Sequence, residues 1–275
     1  CGKSTLGRTI LRLNEPTAGE IWFHGQDVVK ASKREMSKIR PKMQMIFQDP
    51  YSSLNSRMSV EELIAAPLLV NDICPRSEVS ARVAQLMDTV GLARRMAASY
   101  PHELDGGRRQ RIGVARALAV EPEFIVCDEP VSALDVSIQA QILNLLMDIQ
   151  EERHIAYMFI THDLSVVKHI SNQIMVMYMG KCVEVADADT LFAQPLHPYT
   201  KVLLSAIPVA DLSSRGKTKE LIRGEISSPI DPKPGCRFAG RCPYACPACQ
   251  QTDIPLRQVS PGHFAACTML EKINA

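Results

Sequence analysis

The sequence predicts an α/β fold built around a mostly parallel sheet. An apolar run from Phe124 to Asp128 has the length of a buried strand, and a helical pattern follows it from Ser137 to Glu152. A second apolar run, Ala156 to Thr161, comes directly after that helix. Strands that alternate with helices in this way indicate parallel strands covered by helices.

The other elements follow from the same periodicities. Apolar residues at helical spacing after Ser4 predict a helix close to the start of the sequence. The charged stretch from Lys30 to Lys42 is expected to be solvated surface. We expect residues 59–119 to be mostly helical, and further strands at residues 20–23, 44–47, 174–179 and 182–186, with the last two joined by a turn at Gly180.

Composition narrows the class of protein. Of its 275 residues, 46% are hydrophobic and 22% are charged, which is ordinary for a globular protein. The net charge of +1 gives no reason to expect nucleic acid or an anionic membrane as the main ligand. No apolar run reaches membrane-spanning length, and we expect a soluble chain. Five of the nine cysteines lie within residues 236–267, which predicts an intracellular protein with a local cysteine site.

The first residues carry part of a phosphate-binding motif. Gly2, Lys3, Ser4 and Thr5 match the end of G-x-x-x-x-G-K-[ST] and lead into a helix. Lysine would reach the β- and γ-phosphates, and the serine hydroxyl would help to hold Mg²⁺. The alternative is an ordinary helix start on the surface. Because the first glycine of the motif is absent, we expect the sequence to be truncated at its N-terminus.

Two consecutive carboxylates follow the apolar run that ends at Asp128. Mg²⁺–nucleotide chemistry needs such a pair: Asp128 would belong to the metal shell, and Glu129 would polarise the attacking water. The alternative is a strand that ends in an acidic turn.

Two more polar side chains follow predicted strands. His162 in FITHD could contact the γ-phosphate or the water, although a single histidine at a strand end is more often structural. Gln48 in IFQDP could reach the metal or the water, and a plain turn is an equal alternative.

Together these residues resemble the ATP-binding-cassette (ABC) ATPases, a family of P-loop NTPases, over nearly the whole chain. The motifs run in the family's order: CGKST as the end of Walker A, Gln48 as the Q-loop, LDGGRRQ as the signature, FIVCDE as Walker B, SALD with Asp135 as the D-loop, and His162 as the switch histidine. The resemblance implies that two cassettes, identical or different, pair head to tail with each ATP between one Walker A and the other signature.

The resemblance also implies a division into three parts. Residues 1–58 and 120–208 would form the ATP-binding core, and residues 59–119 the helical subdomain that contacts a transmembrane partner. Residues 209–275, after a segment rich in Pro, Gly and Ser, would form a small cysteine-rich C-terminal extension.

The C-terminal segment resembles that of oligopeptide/dipeptide importer ATPases. LFAQPLHPYTKVLLSAIP and the later GCRFAGRCPYACPAC carry this likeness. It implies two transmembrane permease subunits, an extracytoplasmic peptide-binding protein, no nucleic acid, and a peripheral position on the cytoplasmic face of the membrane. Some relatives transport nickel. The sequence also leaves open a soluble cassette ATPase of DNA repair or translation, and a subunit that holds ATP without hydrolysing it.

Four cysteines in this segment match the branch's pattern, namely Cys236, Cys242, Cys249 and Cys267, and Cys246 is an extra thiol. Four thiolates on a loop-rich scaffold suit tetrahedral zinc or an iron–sulfur cluster, and the resemblance favours a 4Fe-4S cluster. Unligated thiols or a disulfide pair are the alternative.

The signature departs from the family at two positions. Asp105 stands where the family usually has Ser, and Arg108 where it usually has Gln, around a Gly106-Gly107 turn suited to phosphate. A carboxylate about 4 Å from a phosphate would be repelled by roughly 4 kcal/mol at an effective dielectric near 20. Because Arg108 could neutralise Asp105 or contact the phosphate itself, we expect a modified and asymmetric pair of ATP sites.

Overall fold

The computed structural model describes residues 2–207 and 230–273. Residues 4–162 form one unit, and Gly2 and Lys3 join the described residues from Asp163 onward in a second unit. The three-part division read from the sequence stays a prediction. Its boundary at residues 208–209 lies outside the described residues.

The first twelve elements give residues 3–162 their α/β character. In chain order they are α1 (Lys3–Ile10), β1 (Trp22–Phe23), β2 (Gln26–Asp27), α2 (Lys33–Ile39), β3 (Met43–Ile46), α3 (Pro50–Ser53), α4 (Val60–Val70), α5 (Val79–Thr89), α6 (Gly106–Leu118), β4 (Phe124–Asp128), α7 (Val136–Arg153) and β5 (Ala156–Ile160).

Strand β4 is the centre of a parallel sheet in the order β3-β4-β5. Phe124 pairs with Met43 on one side and with Ala156 on the other, so the three strands start together, and β3 ends one residue before β4 and β5. Four of the five residues of β4 are buried, as expected for a strand covered on both faces. The carboxyl ends of all three strands therefore meet at one edge, and the predicted strands here are confirmed.

Helix α1 packs directly on this sheet. A Cβ atom built on Gly7 would lie 2.8 Å from Val126 Cγ1 and 2.9 Å from Ile160 Cδ1, so only glycine lets the helix approach this closely. Leu11, just after this helix, lies in a core cluster with Val126 and Ile160. The close approach brings the first turn of α1 towards the end of β4.

Most of residues 30–42 are exposed, as their charge predicted, but two residues of this stretch are buried. Ser32 and Glu35 form a capping box that starts α2, and Met36 and Ile39 on the inner face of this helix are buried in the core. The charged residues occupy the outer face of a short amphipathic helix. The two apolar residues three positions apart were the signal for it.

Residues 59–119 are mostly helical, as predicted. The capping box of Ser59 and Glu62 starts α4, and Asp105 caps α6. Helices α4, α5 and α6 pack against one another.

The second unit contains an antiparallel sheet of β6 (Gln173–Tyr178), β7 (Lys181–Asp187), β8 (Arg257–Ser260) and β9 (His263–Ala265). Its strand order is β6-β7-β9-β8. Met179 and Gly180, both with positive φ, form the turn between the first two strands, and a turn this short can join only antiparallel neighbours. Among the strands of the described residues, the prediction of parallel pairing therefore holds for β3, β4 and β5 only. The helices of this unit are α8 (Leu164–Ile170), α9 (Ala188–Ala193), α10 (Pro198–Ser205) and α11 (Leu270–Ile273).

A buried carboxylate joins this sheet to the residues just before α10. Glu184 of β7 accepts hydrogen bonds from the backbone N–H groups of Leu196, at 2.8 Å, and His197, at 2.9 Å. The ring Nε2 of His263 in β9 lies 2.7 Å from Glu184 Oε1. Glu184 is fully buried, so these contacts replace the water that it loses.

Candidate functional site

Ser4 and Asp128 meet where helix α1 approaches the end of β4. Ser4 Oγ donates a hydrogen bond of 2.6 Å to Asp128 Oδ1. Asp128 is fully buried, and its second oxygen, Oδ2, has no hydrogen-bond partner among the described residues. Arg8 Nη2 lies 3.9 Å from that oxygen and offsets part of its charge.

This pair fits the predicted Mg²⁺. A buried carboxylate oxygen without a donor is costly unless a cation or an ordered water approaches it, and oxygen atoms of carboxylates and hydroxyls are the ligands that Mg²⁺ prefers. Asp128 Oδ2 and Ser4 Oγ are two such oxygens in one place.

Glu129 is oriented by two side chains from the neighbouring strand ends. Its Oε2 accepts a hydrogen bond of 2.9 Å from Gln48 Nε2, and His162 Nδ1 lies 3.3 Å from the same oxygen. Its backbone N–H donates to Ile160 O at 2.8 Å, and its φ of +46° lies in the left-handed region. A non-glycine residue rarely adopts this conformation, and such strain is often found at functional sites.

The Glu129 side chain is 16% exposed, whereas that of His162 is 66% exposed. The carboxylate is therefore fixed in direction but still accessible to a water molecule. A carboxylate held in this way can act as a general base.

The remaining residues of the phosphate motif lie at the start of α1. Gly2 has a φ of +91°, Lys3 is the first residue of the helix, and Thr5 is exposed in its first turn. Backbone N–H groups at the start of a helix favour an anion.

The signature residues form the start of α6. Asp105 is the N-cap: its Oδ1 accepts the Arg108 N–H at 2.8 Å, and its Oδ2 lies 3.4 Å from Arg108 Nε. Gly106 and Gly107 are the first two residues of the helix rather than a separate turn. A Cβ atom on Gly107 would lie 2.6 Å from Ile138 Cγ2, so close packing against α7 requires glycine there. Asp135 is the N-cap residue of α7 and is exposed.

Three arginines that the sequence did not single out contact this region. Arg8 lies one helical turn after Ser4, and that spacing was the available signal. Arg109 of α6 stacks on the Tyr51 ring, 5.0 Å from its centroid, and Arg116 donates a 2.6 Å hydrogen bond to Ser53 O. Both contacts join α6 to α3, which follows Gln48. They are long-range contacts, so no local pattern reveals them.

The structure does not support the predicted iron–sulfur or zinc site at Cys236, Cys242, Cys249 and Cys267. Within residues 2–207 and 230–273 no group of three or more His, Cys, Asp or Glu side chains could hold a metal ion. Burial raises the pKa of Cys242 to about 11 and also raises the pKa of Cys236 and of Cys267.

Comparison with known proteins identifies the family. Residues 1–132 match the ABC transporter family, and residues 183–249 match the family described as oligopeptide/dipeptide transporter, C-terminal region. The oligopeptide transport ATP-binding protein AppF of Bacillus subtilis is 48% identical over 271 residues, which cover 97% of this chain and 82% of AppF. YkfD of the same organism, provisionally named for oligopeptide transport, is 48% identical over 269 residues, with the same coverage of each chain.

Solved structures agree with the sequence relatives. The ATP-binding cassette MJ0796, in a dimeric post-hydrolysis state bound to ADP and Pi, matches with a TM-score of 0.62 and 29% identity, covering 68% of this chain and 81% of that one. CbiO1 of Clostridium perfringens, part of an ABC transporter complex, matches with a TM-score of 0.63 and 28% identity, covering 70% of this chain and 75% of that one.

In the described part of the chain, no helix combines the length and the hydropathy that a membrane crossing requires. The matched families, the close relatives and the solved cassettes confirm the resemblance seen in the motifs. The chain therefore belongs to the ABC transporter ATPases, in the oligopeptide/dipeptide transporter branch, and has the ATP-binding cassette fold.

Proposed function

We propose that this ATPase powers the import of di- and oligopeptides through a membrane transporter. The main observation behind the proposal is that Gln48 and His162 both contact the same carboxylate oxygen of Glu129. Glu129 directly follows the buried Asp128. The names of AppF and other relatives, which refer to peptide or oligopeptide transport, support the choice of substrate.

The residues at the start of α1 and at the strand ends have different roles in the proposed reaction. Gly2, Lys3, Ser4 and Thr5 would bind the phosphates of ATP. Ser4, Asp128 and Gln48 would hold Mg²⁺. Mg²⁺ supplies positive charge that stabilises the transferred phosphoryl group.

Glu129 accepts a proton from the water that attacks the γ-phosphorus, and the products are ADP and inorganic phosphate. Gln48 and His162 keep the Glu129 carboxylate in position for this step. Preorganised groups of this kind lower the barrier because they need not rearrange during the reaction.

A second cassette, identical or different, completes each site in this proposal. Asp105, Gly106, Gly107 and Arg108 of this chain face the ATP held by that partner, with Asp135 nearby in the interface. The ion pair of Asp105 with Arg108 neutralises part of the aspartate's charge but leaves a carboxylate where a phosphate must approach. We therefore propose that the site completed by this signature closes less readily than the other.

Two permease subunits and an extracytoplasmic peptide-binding protein are the further partners, and the ATPase lies on the cytoplasmic face of the membrane. The core, helical and C-terminal parts would lie at residues 1–58 with 120–208, at 59–119 and at 209–275. The match of residues 183–249 to the oligopeptide/dipeptide transporter C-terminal region supports the last of these parts.

Affinity purification from detergent-solubilised cells tests the assembly. The tagged chain is expected to bring two permeases and a second cassette with it. Recovery with ribosomes or DNA in place of permeases would contradict the proposal. The Glu129→Gln variant should purify with the same partners and lose ATP turnover.

A further inference from the structure

Arg109 of α6 lies against the ring of Tyr51 in α3. Its guanidinium carbon is 5.0 Å from the ring centroid, within the range of a cation–π contact. Arg109 Nε also donates a hydrogen bond of 2.7 Å to Pro101 O, in the turn before α6, and this bond fixes the direction of the side chain. Tyr51 is 59% exposed, so core packing contributes little to holding its ring in place.

A second arginine of the same helix contacts the other end of α3. Arg116 follows Arg109 by about two helical turns and therefore lies on the same face of α6. Arg116 Nη1 donates a 2.6 Å hydrogen bond to Ser53 O. Ser53 is the last residue of α3, which has four residues and is too short to be stable by itself. Helix α3 therefore depends on α6 for its position.

The residues between Tyr51 and Gln48 form a stiff connection. Asp49 is the N-cap of α3, and its Oδ1 accepts the Tyr51 N–H at 2.8 Å. Pro50, the first residue of the helix, has a fixed φ. Gln48 comes directly before this cap and donates to Glu129 Oε2 at 2.9 Å. A displacement of α3 therefore moves the amide that orients Glu129.

We propose that the Arg109–Tyr51 contact is the link by which α6 positions Gln48, and through it the Glu129 carboxylate. Arg109 and Tyr51 are positioning residues, because they act on the reaction only through Gln48. The inference rests on the proposed roles of Gln48 and Glu129 in ATP hydrolysis. Since α6 begins at the signature, one helix then both faces the partner's ATP and positions Gln48 in this chain's own site.

ATP hydrolysis by the assembled transporter tests the link. Tyr51→Leu removes the ring and should lower kcat about two- to fivefold, the range that a partly exposed cation–π contact supplies, while KM for ATP changes less. Tyr51→Phe keeps the ring and should restore the wild-type kcat. Arg109→Gln removes the cation and should match Tyr51→Leu. The double variant should lose no more than either single variant, because both remove the same contact.

Two further variants show whether the effect passes through Gln48. In the Gln48→Ala background, Tyr51→Leu should lower kcat no further, because the side chain that Tyr51 positions is already absent. Phe192→Leu is the matched control: it removes the ring from another cation–π pair, with Lys168 in the second unit, and should leave kcat at the wild-type value.

The outcomes separate this inference from the proposed function. A wild-type kcat in Tyr51→Leu or Arg109→Gln would overturn the link, as would additive losses in the double variant. A full effect of Tyr51→Leu in the Gln48→Ala background, or an equal loss in Tyr51→Phe, would overturn it too. All of these results leave a loss of kcat in Gln48→Ala alone unexplained by anything but Gln48 itself. A wild-type kcat in Gln48→Ala alone would instead contradict the proposed role of Gln48 and overturn the inference with it.

Discussion

Gln48 donates a 2.9 Å hydrogen bond to Glu129 although 81 residues separate them in the chain. The contact exists because β3 and β4 are parallel and in register, so that residues following the two strands emerge at the same edge of the sheet. His162, which follows β5, reaches the same carboxylate oxygen for the same reason. The order of the strands thus assembles three residues that the sequence keeps far apart.

Replacing Gln48 by Ala should lower kcat for ATP by about tenfold, because a hydrogen bond to a charged group contributes roughly 1.5 kcal/mol to holding Glu129 in place. KM for ATP should change less. Steady-state ATPase assays of the assembled transporter measure both constants. Gln44→Ala is the matched control, since Gln44 lies in β3 and its side chain donates to Arg40 O in the turn before that strand, away from Glu129. Equal losses in both variants would contradict the orienting role.

Replacing Ser4 by Ala should weaken both the fold and the binding of Mg²⁺–ATP. The buried Asp128 Oδ1 would lose its hydrogen-bond donor, which costs about 1–3 kcal/mol of unfolding free energy. Denaturant unfolding of the purified chain measures that cost. Thr9→Ala, which removes an exposed hydroxyl from the same helix, should cost under about 0.5 kcal/mol. Equal unfolding free energies for the two variants would show that the Ser4–Asp128 hydrogen bond does not contribute to stability.

The substitution Asp105→Ser, which introduces the family's usual residue, should favour closure of the paired cassettes. Serine can also cap α6, so the free energy of unfolding should change by no more than about 0.5 kcal/mol. The substitution also removes a negative charge that would repel the phosphate of the partner's ATP. We expect at least about a tenfold lower ATP concentration for half-maximal pairing, measured by fluorescence energy transfer between labelled cassettes. Asp187→Ser, the same change at the N-cap of α9, is the control. Unchanged closure would mean that Arg108 compensates fully.

Acid should destabilise the second unit through His197. Burial lowers the pKa of His197 to about 4, from an ordinary value of 6.5, and the nearby Glu184 opposes this shift only in part. The folded protein therefore favours the neutral ring. The neutral ring contributes its full stabilisation of the fold above pH 6.5, the ordinary pKa of the unfolded chain, and this contribution is lost as the pH falls from 6.5 towards 4.

The expected loss is about 2 kcal/mol near pH 5 compared with neutral pH. Unfolding free energies at both pH values measure it. His197→Asn keeps a side-chain acceptor for the Tyr199 N–H but does not titrate, so this variant should be less sensitive to acid than the wild type. Equal sensitivity would place the acid-labile group elsewhere.

Local patterns predicted the core of the fold but not every contact. The strand from Phe124 to Asp128 and the helix that follows it are visible because apolar spacing within one segment is enough to define them. The burial of Met36 and Ile39 was missed because charge dominates residues 30–42. Pairing of β9 with β7 joins segments about eighty residues apart, and no local signal encodes such a pairing.

The candidate site was also predictable from the sequence only in part. Asp128, Glu129 and His162 could be selected because each lies at or just after the end of an apolar strand, but their distances depend on strand order. The positive φ of Glu129 and the approach of Arg8 to Asp128 are consequences of packing. The four-cysteine metal prediction is not supported, since the described residues contain no group of three or more side chains that could hold a metal ion.

The most direct test of the account is ATP-driven uptake of a labelled oligopeptide by the complete transporter in lipid vesicles, with ATP on the side of the cassettes. Wild-type transporter should accumulate peptide in step with phosphate release. The Glu129→Gln variant should bind ATP with similar affinity and lose both activities by about a hundredfold or more. Uptake or hydrolysis that survives this substitution would contradict the role of Glu129, and hydrolysis by the wild type without peptide uptake would contradict the proposed substrate.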